Sequence, residues 1–245
     1  MNNENNYMSK HIGKEFISNE GYIIKVIAGG SKPGYCTISI DGYTAESSYS
    51  TLKSGQVRNP YHPSVYGKGC FGVGKYVSKN GGAMTKEYSI WKNILRRVYA
   101  DSSRLKYPTY VNVKVCGEWL NFQNFAQWFE NSNYRPGWAL DKDILSKEAK
   151  IYSPDTCIFV PNELNLFMAN TCSNTVSKYV GVSWHKNNKK WVAQIHNGNG
   201  ANHLGSFTTE EEASEVYKEA RAIEAAKLVE LYSSMLPSNV LAAIK

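Results

Sequence analysis

The chain has 245 residues, of which 42% are hydrophobic and 20% charged. That balance excludes a disordered polyelectrolyte and allows one large domain or two to three small ones. Its 28 Lys and Arg against 21 Asp and Glu leave a net charge of +7, which agrees in sign with a polyanionic partner. No apolar stretch approaches the roughly 20 residues of a membrane span, so no membrane partner is expected, and the polar start at Met1-Asn2-Asn3-Glu4 lacks the apolar centre of a secretory signal. The five cysteines (36, 70, 116, 157 and 172) are dispersed. An odd, scattered set argues for reduced thiols in the cytoplasm and against a zinc finger.

Residues 1–76 read as a small β-rich region. The best strand candidates are 21–27 and 35–40, and Pro33-Gly34 and Asp41-Gly42 supply turn chemistry on either side of the second. The glycines at 67, 69, 72 and 74 are not followed by the Gly-Lys-Ser/Thr of a phosphate-cradling loop. Gly-rich strands and tight turns are the expectation there, and no small-molecule substrate is expected.

Residues 87–100 have the spacing of a basic amphipathic helix. Ile90, Trp91, Ile94, Leu95 and Val98 form one face, and Lys92, Arg96 and Arg97 decorate the rest. Arg96 and Arg97 are candidate phosphate contacts, against the plainer reading of a solvated helix face. A second helix near 118–131 carries Trp119, Phe122, Phe125, Trp128 and Phe129, a spacing that predicts core rather than a base-stacking platform.

Residues 138–145 read as a strand, 151–160 as a returning strand, and a helix is expected to begin at Pro161. Two strands followed by a helix resemble a divergent HNH (ββα-metal) nuclease region, as found in phage homing-endonuclease-like proteins, with the likeness spanning about 77–172. The resemblance implies a divalent metal (Mg or Mn) polarising the scissile phosphate and a base activating water. On it, Asp141 matches a metal ligand, Lys142 stands where the family histidine would be, and Asp143 is an alternative ligand or base. Asn162 and Asn165 are candidates for the ligand on the helix. No histidine lies between His62 and His185, which leaves both a metal-dependent endonuclease and a non-catalytic scaffold open.

The carboxyl-terminal part separates its charge. From Val176 to Phe207 there are four lysines (178, 186, 189, 190), three histidines (185, 196, 203) and no Asp or Glu, whereas 209–232 holds seven glutamates. Strands are expected at 179–185, 190–196 and 202–207, with turns at 186–189 and 197–200. Thr209 with Glu212 three residues on is a capping box, opening a helix whose Ala213, Val216, Tyr217, Ala220 and Ile223 fall at helical spacing. These residues should pack under Trp191, Ala193 and Ile195 and leave the other sheet face open.

The run Val180-Gly181-Val182, Trp191-Val192-Ala193-Gln194-Ile195, Leu204-Gly205-Ser206-Phe207-Thr208-Thr209, Glu212-Ala213, Tyr217 and Ala220 resembles the ethylene-response-factor (APETALA-type) DNA-binding domain. The version fused to phage homing endonucleases is the nearer likeness, over about 174–233. The resemblance implies a three-stranded sheet lying in the major groove of double-stranded DNA. Its contact positions become Ser183, His185, Lys190, Gln194, His196 and His203, with Lys186 in the adjoining turn. The expected whole is an α+β chain. A β-rich region (1–76) and an HNH-like ββα region with flanking helices (77–172) precede a three-stranded antiparallel sheet on one helix (174–233) and a tail (234–245). Its expected place is the cytoplasm, that of the host cell if the chain is phage-encoded. The functions left open are a metal-dependent DNA endonuclease, a DNA-binding regulator on a degenerate HNH scaffold and, third, an RNA-binding or protein-interaction module.

Overall fold

A computed structural model describes residues 8–146, 150–169, 176–196 and 200–244. The expected turn residues Asn197, Gly198 and Asn199, the boundary at 172–174, Cys172 and the polar start lie outside them. The fold is α+β, with small, mostly antiparallel sheets and, among the described residues, seven α-helices. Contacts divide the chain into two units, residues 1–111 with 117–126 and residues 112–116 with 127–245.

The first unit begins with a four-stranded meander, β1 (Glu15–Ile17), β2 (Ile23–Gly29), β3 (Tyr35–Ile40) and β4 (Tyr43–Ser48), paired in chain order. Alternation in β3 buries Cys36, Ile38 and Ile40, which join Ile24 and Val26 of β2 and Leu52 of α1 (Tyr49–Lys53) in one core. After the hairpin β5 (Lys79–Asn80) and β6 (Ala83–Met84) comes α2 (Lys86–Tyr99). Its buried face is Trp91, Ile94, Leu95 and Val98, and the Trp91 indole N–H donates to the Trp119 carbonyl at 2.7 Å. The glycines at 67–74 form turns with only isolated bridges rather than strands. At Gly69 a Cβ would stand 2.4 Å from Leu95 and 2.8 Å from Trp91, so glycine here lets the chain approach α2 closely. A short helix, α3 (Asp101–Lys106), follows α2.

In the second unit β7 (Lys114–Val115) pairs in parallel with β9 (Ile151–Tyr152). Helix α4 (Phe122–Glu130) contains the division between the units. Phe122 and Phe125 are buried, while Trp128 and Phe129 contact the ring of Phe159. The aromatic helix is core, as its spacing required. Strand β8 (Trp138–Asp141) pairs antiparallel with β10 (Ile158–Pro161), and α5 (Asn162–Met168) follows directly.

Two expectations need correction here. The strand expected over 138–145 ends at Asp141, because its Oδ1 accepts the backbone N–H of Asp143 (2.7 Å) and of Ile144 (2.8 Å) and turns the chain. The single returning strand expected over 151–160 is two pieces with different partners. The Thr156 hydroxyl donates to the Ile151 carbonyl at 2.7 Å and accepts from Ser153 N–H at 3.1 Å, holding the turn between them.

The last sheet is β11 (Val182–His185), β12 (Lys190–His196) and β13 (Ala201–Phe207), antiparallel and in chain order, followed by α6 (Glu210–Tyr232) and α7 (Ser238–Ala243). The capping box is present: Thr209 Oγ1 accepts from Glu212 N–H, and Glu212 Oε2 accepts from Thr209 N–H, each at 3.2 Å. Helix α6 serves two cores. Ala213 and Tyr217, in its first half, pack with Val182, Ala193 and Ile195 of the sheet. Ala225 and Leu228, in its second half, pack with Ile158, Val160, Leu164 and Phe167. Residues 234–245, read from the sequence as a tail, place Leu236, Val240 and Ile244 in that second core.

Candidate nucleic-acid interface

Pairing register decides which side chains share a face. Ser183 stands opposite Val192 and His185 opposite Lys190. On the other side of β12, Val192 faces Ser206, Gln194 faces His203 and His196 faces Ala201. Ser183, His185, Lys190, Gln194, His196 and His203 therefore lie on one face, away from the core made with α6. All but the half-buried Ser183 are exposed, and Lys186 is exposed in the turn beside them. Trp191 is half-buried on the helix side, with the Trp184 ring 5.1 Å away.

Sequence reasoning missed Ser206. The register shifts between Ala193 and Gln194, so β13 carries one extra residue there. Counting by two from His203 reaches Gly205, whereas the bulge puts His203 and Ser206 on the same face. The alternation within β13 alone carried no sign of this.

The turn between β11 and β12 presents its cations outward. Lys189 adopts φ 49°, and His185 Nδ1 accepts the Asn188 backbone N–H at 3.3 Å. With Nδ1 accepting, the neutral ring carries its proton on Nε2, a donor left for a ligand. Among the described residues, no carboxylate pairs with Lys186, Lys189 or Lys190. The acids of this part are engaged on the helix instead. Glu210 Oε1 accepts from the Ser177 hydroxyl (2.7 Å) and the Lys178 N–H (2.9 Å), and Glu211 pairs with Lys178 at 3.2 Å. That pairing, through the hydrogen bond first, raises the Lys178 pKa. Of the four lysines in the acid-free stretch, Lys178 is thus neutralised locally and three remain available.

The residues matched to nuclease chemistry are arranged differently. Asp141 Oδ1 is taken by the two backbone bonds of its turn, and the Lys142 ammonium pairs with Asp143. Asp141 stands opposite Ile158, while Trp138 stands opposite Pro161. Asn162, which opens α5, therefore leaves the strand pair at the end remote from Asp141, three residues or about 10 Å along the strand direction. Asn162 is exposed and Asn165 half-buried one turn later. Among the described residues no three His, Cys, Asp or Glu side chains converge as a metal site would need. Of the candidate donors, Asp141 has one oxygen committed to its turn, and Asp143 is paired with Lys142. Arg96 and Arg97 belong to the first unit, exposed on α2 opposite its buried face.

No protein-family model matches the chain, and neither a curated protein nor a solved structure does. Among the described residues no helix is long and apolar enough to cross a membrane.

Proposed function

We propose that this protein binds double-stranded DNA through the open face of the sheet β11–β13. The observation that carries this reading is the sorting of side chains: hydrogen-bonding and cationic groups around a buried Val192 on one face, glutamates on the helix behind the other. Three strands spaced about 4.8 Å apart make a ribbon about 10 Å across, which suits the major groove of B-DNA at about 12 Å. The major groove of A-form RNA is too deep and narrow for such a surface, so duplex DNA is favoured. Lys186, Lys189 and Lys190 supply phosphate contacts that position the sheet. Gln194, at the centre of the face, has the amide geometry for a bidentate contact to adenine, with Ser183, His185, His196 and His203 as flanking donors and acceptors.

The arrangement at Asp141 favours a non-cleaving role over an endonuclease, with β8, β10 and α5 acting as a scaffold anchored on α6. Supercoiled DNA incubated with the protein and Mg²⁺ or Mn²⁺ is expected to stay intact. Nicking that disappears in Asp141→Ala would restore the nuclease. Binding itself is tested by titration at several salt concentrations. Replacing Lys186, Lys189 and Lys190 with Gln should make the slope of log K against log salt shallower by about 2.7, at about 0.9 per phosphate contact. An unchanged slope and affinity would remove the sheet from the interface.

A further inference from the structure

The structure carries a second surface whose composition has no use in the core. From Ser102 to Gly117 the chain has no Asp or Glu. Helix α3 buries none of its residues. Leu105 is 83% exposed, Tyr107 49% and Val111 47%, and Arg104 and Lys106 flank Leu105 on either side. The segment is held by its own backbone rather than by packing. Arg104 N–H donates to the Ala100 carbonyl (3.1 Å), Tyr107 N–H to that of Ser103 (2.9 Å), and Val111 N–H to that of Pro108 (3.1 Å). The Lys106 ammonium lies 5.3 Å from the Tyr107 ring centre, and Tyr107 meets Tyr110 edge-on at 6.5 Å. Arg96 and Arg97, in the last turn of α2, stand just before this element in the same unit.

We infer that the protrusion formed by residues 101–111 is a minor-groove wedge for duplex DNA, with Leu105 entering a base step and Arg104, Lys106, Arg96 and Arg97 on the bordering phosphates. The inference rests on the duplex-binding reading above, but on different residues. A single exposed leucine is ordinary. Here leucine and tyrosine alternate with Arg and Lys on a segment whose one acid, Asp101, stands at its start, the combination by which minor-groove proteins pry a step open while neutralising the backbone on both sides. A membrane-surface helix needs its apolar and basic residues segregated over several turns, which six residues of α3 with alternating character do not provide. Protein–protein interfaces are depleted in Lys, whereas every charged residue from 102 to 117 is basic, two of them being lysines.

The test uses the full chain and a duplex with 2-aminopurine at a flexible TA step. Saturating protein should raise the 2-aminopurine fluorescence severalfold as the step unstacks. Leu105→Ala should abolish that rise at saturating protein, and replacing Arg104 and Lys106 with Gln should reduce the salt slope by about 2. Leu105 is exposed, and near-ultraviolet circular dichroism is the check that the variants keep their fold. Duplex binding without any rise, or a rise that Leu105→Ala leaves intact, overturns the wedge and leaves the sheet reading standing. No duplex binding by the unmodified chain overturns both. Loss in Leu105→Ala of binding to phosphatidylglycerol vesicles, or of a dimer in sedimentation, would assign the surface to a lipid or to a second copy and overturn the wedge equally.

Discussion

Gly181 shows how a single residue sets the register of a sheet. It precedes β11 at φ 74°, and its carbonyl accepts the Gln194 N–H at 2.8 Å, so it helps hold Gln194 in register. A Cβ there would stand 2.1 Å from the Tyr217 ring of α6. Gly181→Ala therefore combines left-handed strain with a collision in the core, and should cost about 2–4 kcal/mol in urea denaturation. A loss below about 0.5 kcal/mol would mean the sheet and helix are not packed this closely. The same position explains why the first strand is shorter than its alternation implied. Residues 179–185 alternate, but the positive φ at 181 bends the chain, and pairing begins at Val182.

At the level of elements, helix α6 joins the three-stranded sheet to the β8–β10–α5 hairpin and helix. Its far half is tied to α5 by polar contacts as well as by the core. Arg221 stacks on the Phe167 ring at 4.0 Å and donates to the Phe167 carbonyl at 3.2 Å. The Tyr232 hydroxyl donates to Glu163 Oε1. Burial, followed by the bond to Glu163 and its charge, pushes the Tyr232 phenol up to about 12 from 10.0. A raised folded pKa means that the contribution is fully present below pH 10 and is lost as pH rises through about 12, since the unfolded chain gives up this proton first. In an absorbance titration at 295 nm Tyr232 should ionise late, near pH 12, beside Tyr88, whose pKa burial also raises, and Tyr232→Phe should reduce the late component by one tyrosine. If Tyr232→Phe leaves the amplitude of the late component undiminished, the α5–α6 tie is wrong.

For the molecule as a whole, the carboxyl end is structural. Val240 is fully buried, and Leu236 and Ile244 are nearly so, in the core that also holds Ile158, Val160, Leu164 and Phe167. Val240→Ala should destabilise the second unit by roughly 2 kcal/mol, from lost burial and the cavity left behind. Deleting residues 236–245 should lower its melting temperature by far more. A deletion that melts like the intact chain would show that α7 is dispensable. Because α6 contributes to both cores, loosening this end should also weaken hydrogen-exchange protection in β11–β13.

Much of the carboxyl-terminal module was legible because its signals are local. Alternation marked β12, Thr209 with Glu212 marked the helix start, and the absence of acids from 176–207 marked the polar face. The hairpin at 138–161 was less legible, since Asp141 ends its strand by a side-chain bond to the backbone that competes with pairing. Residues 151–160 look like one strand, yet their two ends find partners far apart in sequence. The protrusion at 101–111 gave no periodic signal at all. By itself, the sequence determined the helix caps, the faces of its regular strands and where charge accumulates, all properties of neighbours within a few residues. The tertiary structure alone decided the bulge that brings Ser206 onto the face of His203, the separation of Asp141 from Asn162 and the burial of the carboxyl end. Each of these depends on pairing between distant segments, and pairing is settled by which apolar surfaces meet rather than by any local preference.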